Sequence, residues 1–440
     1  MSVASADPQV LDPAVPSAVR GPPAEQSGGR DWLLAALLTI GYGAYNLDKS
    51  VISILIEPLK HEFGLSDTTV GLLTGIGSTL PIANFCIPLG MLADRQRRLT
   101  LIYVLLFGWS LMTGVGGLAT GVAMLFISRA GVGAFESAYT PISMSLLADS
   151  FPLRRRATAM GTFSFGGAIG TTLGLALGGI VADGSGWRMA FYMAGIPGVL
   201  LVLVMMVTLR EPKRGRFDGA GATDAASFGE AAAMVRNVPG LAAVATGMTL
   251  GAVGLSVLAI WTPSLLMRVE GVPLREAGLL SALVYGIGGG IGPMLGGWLA
   301  DRVGRRDGVR SLWVPVYSLL FAAVAGLFAL LLAPKGVIAI VALTMASMAQ
   351  PLYLGIGYAT VATLAGPRAR GTIMSMLLVA INVLSFGFGL YLVGKLSDLL
   401  QPIVGTSAIA WGYSSAFVIG LLAAYAFWRG IVQIRSAHAL

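Results

Sequence analysis

Charge is what this chain of 440 residues most lacks: Asp, Glu, Lys and Arg make up 11% of it, against 55% hydrophobic residues. A soluble globular chain carries about 25% charged residues, so most of this surface does not face water. Cysteine and histidine are nearly absent. Cys86 stands alone in an apolar run, and only His61 and His438 carry imidazoles. That excludes a disulfide framework and a thiolate or imidazole metal site. No nucleophile–base pair or phosphate loop occurs in a suitable context, so neither an enzyme nor a cofactor is expected. The first thirty residues lack the basic-then-apolar order of a signal peptide. Rich in Pro, Ala and Ser, they read as a disordered cytoplasmic tail, with the first span as its own insertion signal.

Apolar runs and glycine are abundant. Twelve runs fall at roughly 32–59, 69–93, 100–119, 121–148, 157–182, 189–209, 240–267, 276–300, 311–333, 336–364, 372–397 and 407–429. Each is long enough to cross a bilayer core. They lack the alternation of barrel strands, so the expected fold is an all-α membrane protein of twelve transmembrane helices. The 60 glycines suit helices packed backbone to backbone in lipid. The net charge of +8 sits in short loops, where it sets orientation in the bilayer rather than attracting nucleic acid. Arg95, Arg97 and Arg98, Arg154 to Arg156, Arg210 to Arg236, Arg302 to Arg310, and Arg368 with Arg370 lie in one set of loops. That set is expected in the cytoplasm, with both termini, in a bacterial inner membrane. The domain reading is a tail (1–30), a six-helix half (31–210), a cytoplasmic linker (211–239) with a short amphipathic helix near Phe228–Val235, a second six-helix half (240–431) and a tail (432–440). A monomer is expected.

The halves repeat one another. Gly90-Met-Leu-Ala-Asp94-Arg95 returns as Gly297-Trp-Leu-Ala-Asp301-Arg302, and Gly71-Leu-Leu as Gly278-Leu-Leu, at one offset (301 − 94 and 278 − 71 are both 207). Arg156-Ala-Thr-Ala-Met160 resembles Arg370-Gly-Thr-Ile-Met374. A parallel repeat of this kind points to a transporter with its site between the halves. The loop through Asp301, Arg302, Gly304, Arg305 and Arg306 resembles the signature loop of the major facilitator superfamily; the first copy departs with Arg97 in place of the small Gly. The resemblance implies a cytoplasmic gate of Asp94, Arg95, Arg98, Asp149, Asp301, Arg302 and Arg305. In it the Asp94 carboxylate accepts hydrogen bonds from the start of the eleventh helix, near Gly371. Asp149 is positioned to pair with Arg95 or Arg98. Thr363 stands at the matching place in the second half, so a second lock is expected to be weaker.

An ionisable side chain inside a span costs roughly 2.5–3.5 kcal/mol on insertion scales. Asp48 and Lys49 lie midway along helix one, and Arg129 and Glu136, two turns apart on one face, lie on helix four. Asp48 is expected to pair with Arg129, leaving Glu136 free to bind a proton. Asn46-Leu-Asp48-Lys49-Ser50, the run from Leu55 to Asp67, and Arg129-Ala-Gly131-Val-Gly133-Ala-Phe-Glu136 resemble the bacterial spinster-like family, with Lys49 where that family has Arg. Animal spinsters are associated with lysophospholipids and sphingoid lipids, so the resemblance implies a lipid-like solute. The glycines at 166, 170, 174 and 178 read as a packing stripe on helix five; Thr171 replaces the proline of an antiporter motif there. The expected substrate cavity is lined by Asn46, Tyr139, Trp261, Tyr285, Gln350, Tyr353, Tyr358 and Asn382, one wall ionisable and the other neutral and aromatic. The functional expectation is an alternating-access secondary transporter, proton-coupled, for an amphipathic or lipid-like solute. Alternatives are a proton-coupled carrier of a small organic anion held by Arg129 and Lys49, and a non-transporting receptor or sensor on the same scaffold.

Overall fold

Inside a bilayer every backbone N–H and C=O must find its partner within the chain, which restricts a spanning segment to a helix or a closed barrel. The computed structural model describes residues 28–214, 216, 227–304, 308–333 and 335–438, and these contain helices and no strand. The first half comprises α1 (Gly29–Ile54), α2 (Asp67–Ala93), α3 (Arg98–Gly117), α4 (Val122–Glu136 continued by Tyr139–Ser150), α5 (Leu153–Ser185) and α6 (Trp187–Thr208). The second comprises α7 (Leu241–Arg268), α8 (274–303), α9 (Val309–Leu332), α10 (Val337–Gly366), α11 (368–404) and α12 (Ala408–His438). By length and apolarity alone, nine stretches among the described residues qualify as spans, and one of them, 368–437, holds both α11 and α12. The other two crossings, α1 and α4, fall short because α1 carries charge within its span and α4 is broken into two shorter pieces.

The break in α4 follows Glu136. Pro141 has no N–H to offer the carbonyl of Ser137, so the helical ladder lapses at Ser137–Ala138. Pro351 does the same in α10, where a single 3-10 turn, Gln350–Leu352, separates two α-helical pieces. Just beyond each break a tyrosine enters a gap left by glycine. Tyr139 is fully buried against Gly41 of α1, and Tyr353 against Gly251 of α7. The arginines after the two breaks are also matched: Arg156 donates to the carbonyl of Ala148, and Arg370 to that of Ala362.

The glycine stripe of α5 lies on α1. A Cβ at Gly166 would stand 2.5 Å from the Thr39 carbonyl and one at Gly174 2.6 Å from that of Leu47, while one at Gly170 would collide with the carbonyl of Gly43. At the face opposite the arginine-rich loops the halves meet in the same close fashion. Gly179 of α5 packs on Gly278 of α8, and Gly71 and Gly75 of α2 pack on the backbone of α11 at Leu390 and Phe386. α2, α8 and α11 each carry a wider π-helical segment, at Leu72–Ile76, Ala282–Ile287 and Asn382–Gly389. Toward the arginine-rich face, at Gly90, Gly297 and Gly371, an added Cβ would meet no described atom within 4 Å.

The short helix Ile56–Phe63 is tied to α6 through Glu62, which accepts from Trp187 Nε1 and Arg188 Nη2, each at 2.6 Å. The hydrogen bond from Arg188, then that from Trp187, holds the Glu62 carboxyl below its ordinary range. Its contribution to stability is therefore complete above the usual carboxylate range and fades only as pH falls through the lowered value. The linker helix Phe228–Asn237 starts on a capping box formed by Ser227 and Glu230. At the C-terminus, α12 continues to His438, beyond the boundary at residue 431 read from hydropathy. Ile431 and Ile434 remain buried there, Ile434 against Gly240. The amino-terminal tail, 1–27, lies outside the described residues.

Replacing Gly170 by Val is expected to destabilise the protein by about 1–3 kcal/mol through overpacking against backbone that cannot give way. Gly161→Ala, whose added methyl meets nothing described within 4 Å, should be neutral or stabilising by up to about 1 kcal/mol from helix propensity. Thermal unfolding of the purified variants in one detergent measures both.

Candidate functional site

The buried charges converge where α1, α3 and α4 meet. Asp48 and Arg129 are 2% and 3% exposed, and Arg129 Nη1 lies 3.3 Å from Asp48 Oδ2. Thr113 of α3 donates its hydroxyl to Asp48 Oδ1 at 2.8 Å. The guanidinium also lies over the ring of Phe191, 5.3 Å from its centroid. Neither Arg129 Nε nor Nη2 has a hydrogen-bond partner among the described residues. In low dielectric, breaking such a pair leaves an uncompensated charge, so the two side chains hold each other in place.

Lys49 points to a different side of α1. Its ammonium donates to the Tyr45 hydroxyl one turn back and stands 3.7 Å from Glu136 Oε2. It also faces the ring of Phe386, on α11 of the other half, at 5.7 Å. Glu136 is 3% exposed, and its Oε1 has no partner among the described residues. Within the cluster of four charges, the carboxylate therefore has Lys49 as its near neighbour. These groups border a cavity of about 40 Å³ whose polar lining continues with Thr74, Ser78 and Thr79 of α2. From the second half, among the described residues, only Ile260, Asn382 and Phe386 reach it.

Of the residues expected to line a cavity, Asn382 does so, with its amide donating to Leu378 in its own helix. Asn46 is half-buried beside Gly167 and donates to the Tyr42 carbonyl. Tyr285 and Tyr358 are half-buried. Four are corrections. Tyr139 and Tyr353 fill glycine gaps inside their own halves, Tyr139 donating to the Leu38 carbonyl. Gln350 is 1% exposed and bonds the Gly251 carbonyl at 3.0 Å. Trp261 is fully buried, and its neighbour Ile260 takes the place on the wall. For Tyr139, Tyr353 and Gln350 the physical reason is shared: Gly41 on α1 and Gly251 and Gly254 on α7 leave room opposite them inside each half, and burial there is worth more than exposure at a rim. Trp261 instead packs in an apolar core cluster.

At the arginine-rich face, Arg98 is buried and donates to Asp149 at 2.5 Å and to Ser145 at 2.9 Å. Glu211 completes this site. Its carboxylate accepts the N–H groups of Arg98 and Leu99, at 3.1 and 2.8 Å, and so caps α3. Arg95 is exposed, and Arg302 is exposed over the Trp298 ring. The side chains of Asp94 and Asp301, and all of Arg305, lie outside the described residues. Nothing in the sequence marks Thr113, Tyr45 or Phe386 as site residues, and Glu211 is marked there only by the family resemblance, without a role. The first three are uncharged and ordinary in an apolar span, and Glu211 reads as a loop charge.

Two six-helix halves around a cavity lined by ionisable groups define a membrane transporter, and the chain belongs to the Major Facilitator Superfamily, whose family model matches residues 38–390. Within it the chain resembles the spinster transporters, and the membership makes it a transporter and not an enzyme. It is 29% identical over 409 residues to an MFS-type efflux pump of Mycolicibacterium smegmatis, covering 92% of this chain and 94% of that one. It is 25% identical over 407 residues to the sphingosine-1-phosphate transporter SPNS2 of Danio rerio, covering 87% and 79%. A crystal structure of a bacterial homolog of the human lysosomal transporter Spinster, inward-facing and unoccupied, superposes with a TM-score of 0.84 at 27% identity, covering 93% of this chain and 98% of that one.

Removing one partner of the central pair, by Arg129→Gln or Asp48→Ala, is expected to cost about 3–5 kcal/mol. The double variant should recover part of the loss, because no charge is left alone. Unfolding midpoints across the four proteins of the cycle measure this.

Proposed function

We propose that the protein is a proton-coupled carrier that moves an amphipathic or lipid-like solute by alternating access. In this reading it lies in a bacterial inner membrane with both termini and the arginine-rich loops in the cytoplasm. One observation carries the coupling: a carboxylate on a broken helix, Glu136, is buried within the apolar slab with one oxygen unpartnered among the described residues, beside a lysine that a proton can replace. Protonation of Glu136 would release Lys49 toward Tyr45 and Phe386, the last of these on the opposite half. A protonation event would thereby reach the interface that must move. Buried ionisable groups in membrane helices commonly mark such pathways.

The substrate class is supported by the contrast between the walls. The first half offers charge, and the second offers Ile260, Phe386 and a single amide, Asn382. A solute with one charged end and an apolar body matches both. The names of the relatives, an efflux pump and a sphingosine-1-phosphate transporter, agree with export of such a molecule. The nitrogens of Arg129 that have no partner among the described residues favour an anionic group at the charged end, and they also support a second reading, a carrier of small organic anions.

In proteoliposomes, flux of a lysolipid is expected to accelerate under a pH gradient. Glu136→Gln and Asp48→Asn should flatten that dependence, with flux lowered at least roughly tenfold if each proton-linked step is lost. Wild-type pH profiles in both variants would remove the proton role. Transport of a short carboxylate with none of any lysolipid would select the small-anion reading.

A further inference from the structure

The densest set of ionised side chains outside the central cluster lies at the opposite face, and it crosses from one half to the other. Asp398, near the end of α11, takes the N–H groups of Asp67 and Thr68 at 3.0 and 2.7 Å, and the Thr68 hydroxyl at 2.6 Å. Those amides open α2 and have no acceptor within their own helix; the helix dipole further favours an anion there. Asp67 is itself 2% exposed. Its carboxylate accepts from Arg268 of α7 at 2.6 and 2.8 Å, from Ser397 of α11 at 2.6 Å, and from Lys60. Arg268 also donates Nε and Nη2 to Glu57, at 2.8 and 2.6 Å. Close approach is built in at Gly394, where a Cβ would strike the Asp67 carbonyl.

We propose that this network is the latch that holds the opposite face shut, and that Arg268 and Asp398 are residues of the transport cycle that set the balance between its two end states. The inference rests on the alternating-access reading, but not on the substrate or on proton coupling. Apart from the bond between Lys60 and Asp67, each of these contacts joins the first half to the second, so rocking the halves apart breaks them together. Charge-assisted bonds of this kind are the strong class of hydrogen bond. Two of the acceptors are met by backbone amides at a helix start, which no side-chain rotation can withdraw, so release requires α2 and α11 themselves to separate. The freed groups are ionised and enter water on opening, so the open face is also tolerable. A purely apolar seam would lack that property. Glu62 and Arg188 form an ion pair of like geometry at the same face, but wholly within the first half, and rocking leaves it intact.

Distances between spin labels at His61→Cys and Gln401→Cys, in a Cys86→Ser background and in lipid nanodiscs, test the latch by pulsed electron resonance. Both sites are exposed, one on each half. The parent should show mainly the short separation. Asp398→Ala and Arg268→Gln should each raise the ratio of long to short separations roughly tenfold or more, the scale of a charge-assisted bond. Thr68→Ala should shift it the same way by less, and Arg188→Gln should leave it unchanged. Parent-like distributions in folded, monodisperse Asp398→Ala and Arg268→Gln would overturn the proposal, as would an equal shift in Arg188→Gln. If Asp398→Ala does not fold, Thr68→Ala and Arg268→Lys carry the same test. Because no solute is added, a negative result here is distinct from failure of the transport assay.

Discussion

A buried carboxylate and a buried guanidinium set against each other constrain much of the first half. Asp48 on α1 and Arg129 on α4 cannot part without leaving a bare charge in low dielectric. Thr113 brings α3 to the same point. That union turns Lys49 to another side of α1, because adjacent helical residues point about 100° apart, and there it meets Glu136 at the break in α4. The proline that interrupts α4 and the charges that make α1 a poor span by composition are thus parts of one site.

The two halves share a construction and differ in chemistry. Tyr139 and Tyr353 fill the same kind of gap, and so do the arginines that cap the helix ends after each break. At the spacing that relates those pairs (353 − 139 is 214), Glu136 corresponds to Gln350 (350 − 136 is 214) and Arg129 to Leu343. Gln350 bonds the backbone of α7 and needs no counter-charge. One half therefore keeps the ionisable set, and the other keeps the same helix geometry with neutral groups. The cavity between them is consequently unequal, with charge on one wall.

The helix count, the division into halves and the charged residues of α1 and α4 were legible in the sequence because each leaves a signal that needs no partner. Runs of apolar residues report spans, a repeated loop reports duplication, and a charge in a span is rare enough to stand out. Tyr139, Tyr353 and Gln350 were misplaced because a polar or aromatic residue in a span has two ways to be satisfied, a cavity or a gap inside the half. Only the small residue opposite it, on another helix, decides which. Asp67, Arg268 and Asp398 were visible as charges near span ends, but membrane anchors look the same there. Their significance lies in contacts more than two hundred residues apart in the chain, which no local pattern reports.

α2 and α11 run antiparallel and touch along their π-helical segments. Asp398, near the C-terminal end of α11, binds the first amides of α2; Asp94 lies in sequence at the C-terminal end of α2, on the membrane side where α11 begins. If Asp94 plays at the start of α11 the part the family resemblance implies, each helix offers a carboxylate to the other's first turn, once per membrane face. For that pair of helix-start contacts, the free-energy difference between the two orientations of access would then be a remainder between like terms. A bound solute or a single proton, with only a few kcal/mol of preference for one state, would suffice to tip it.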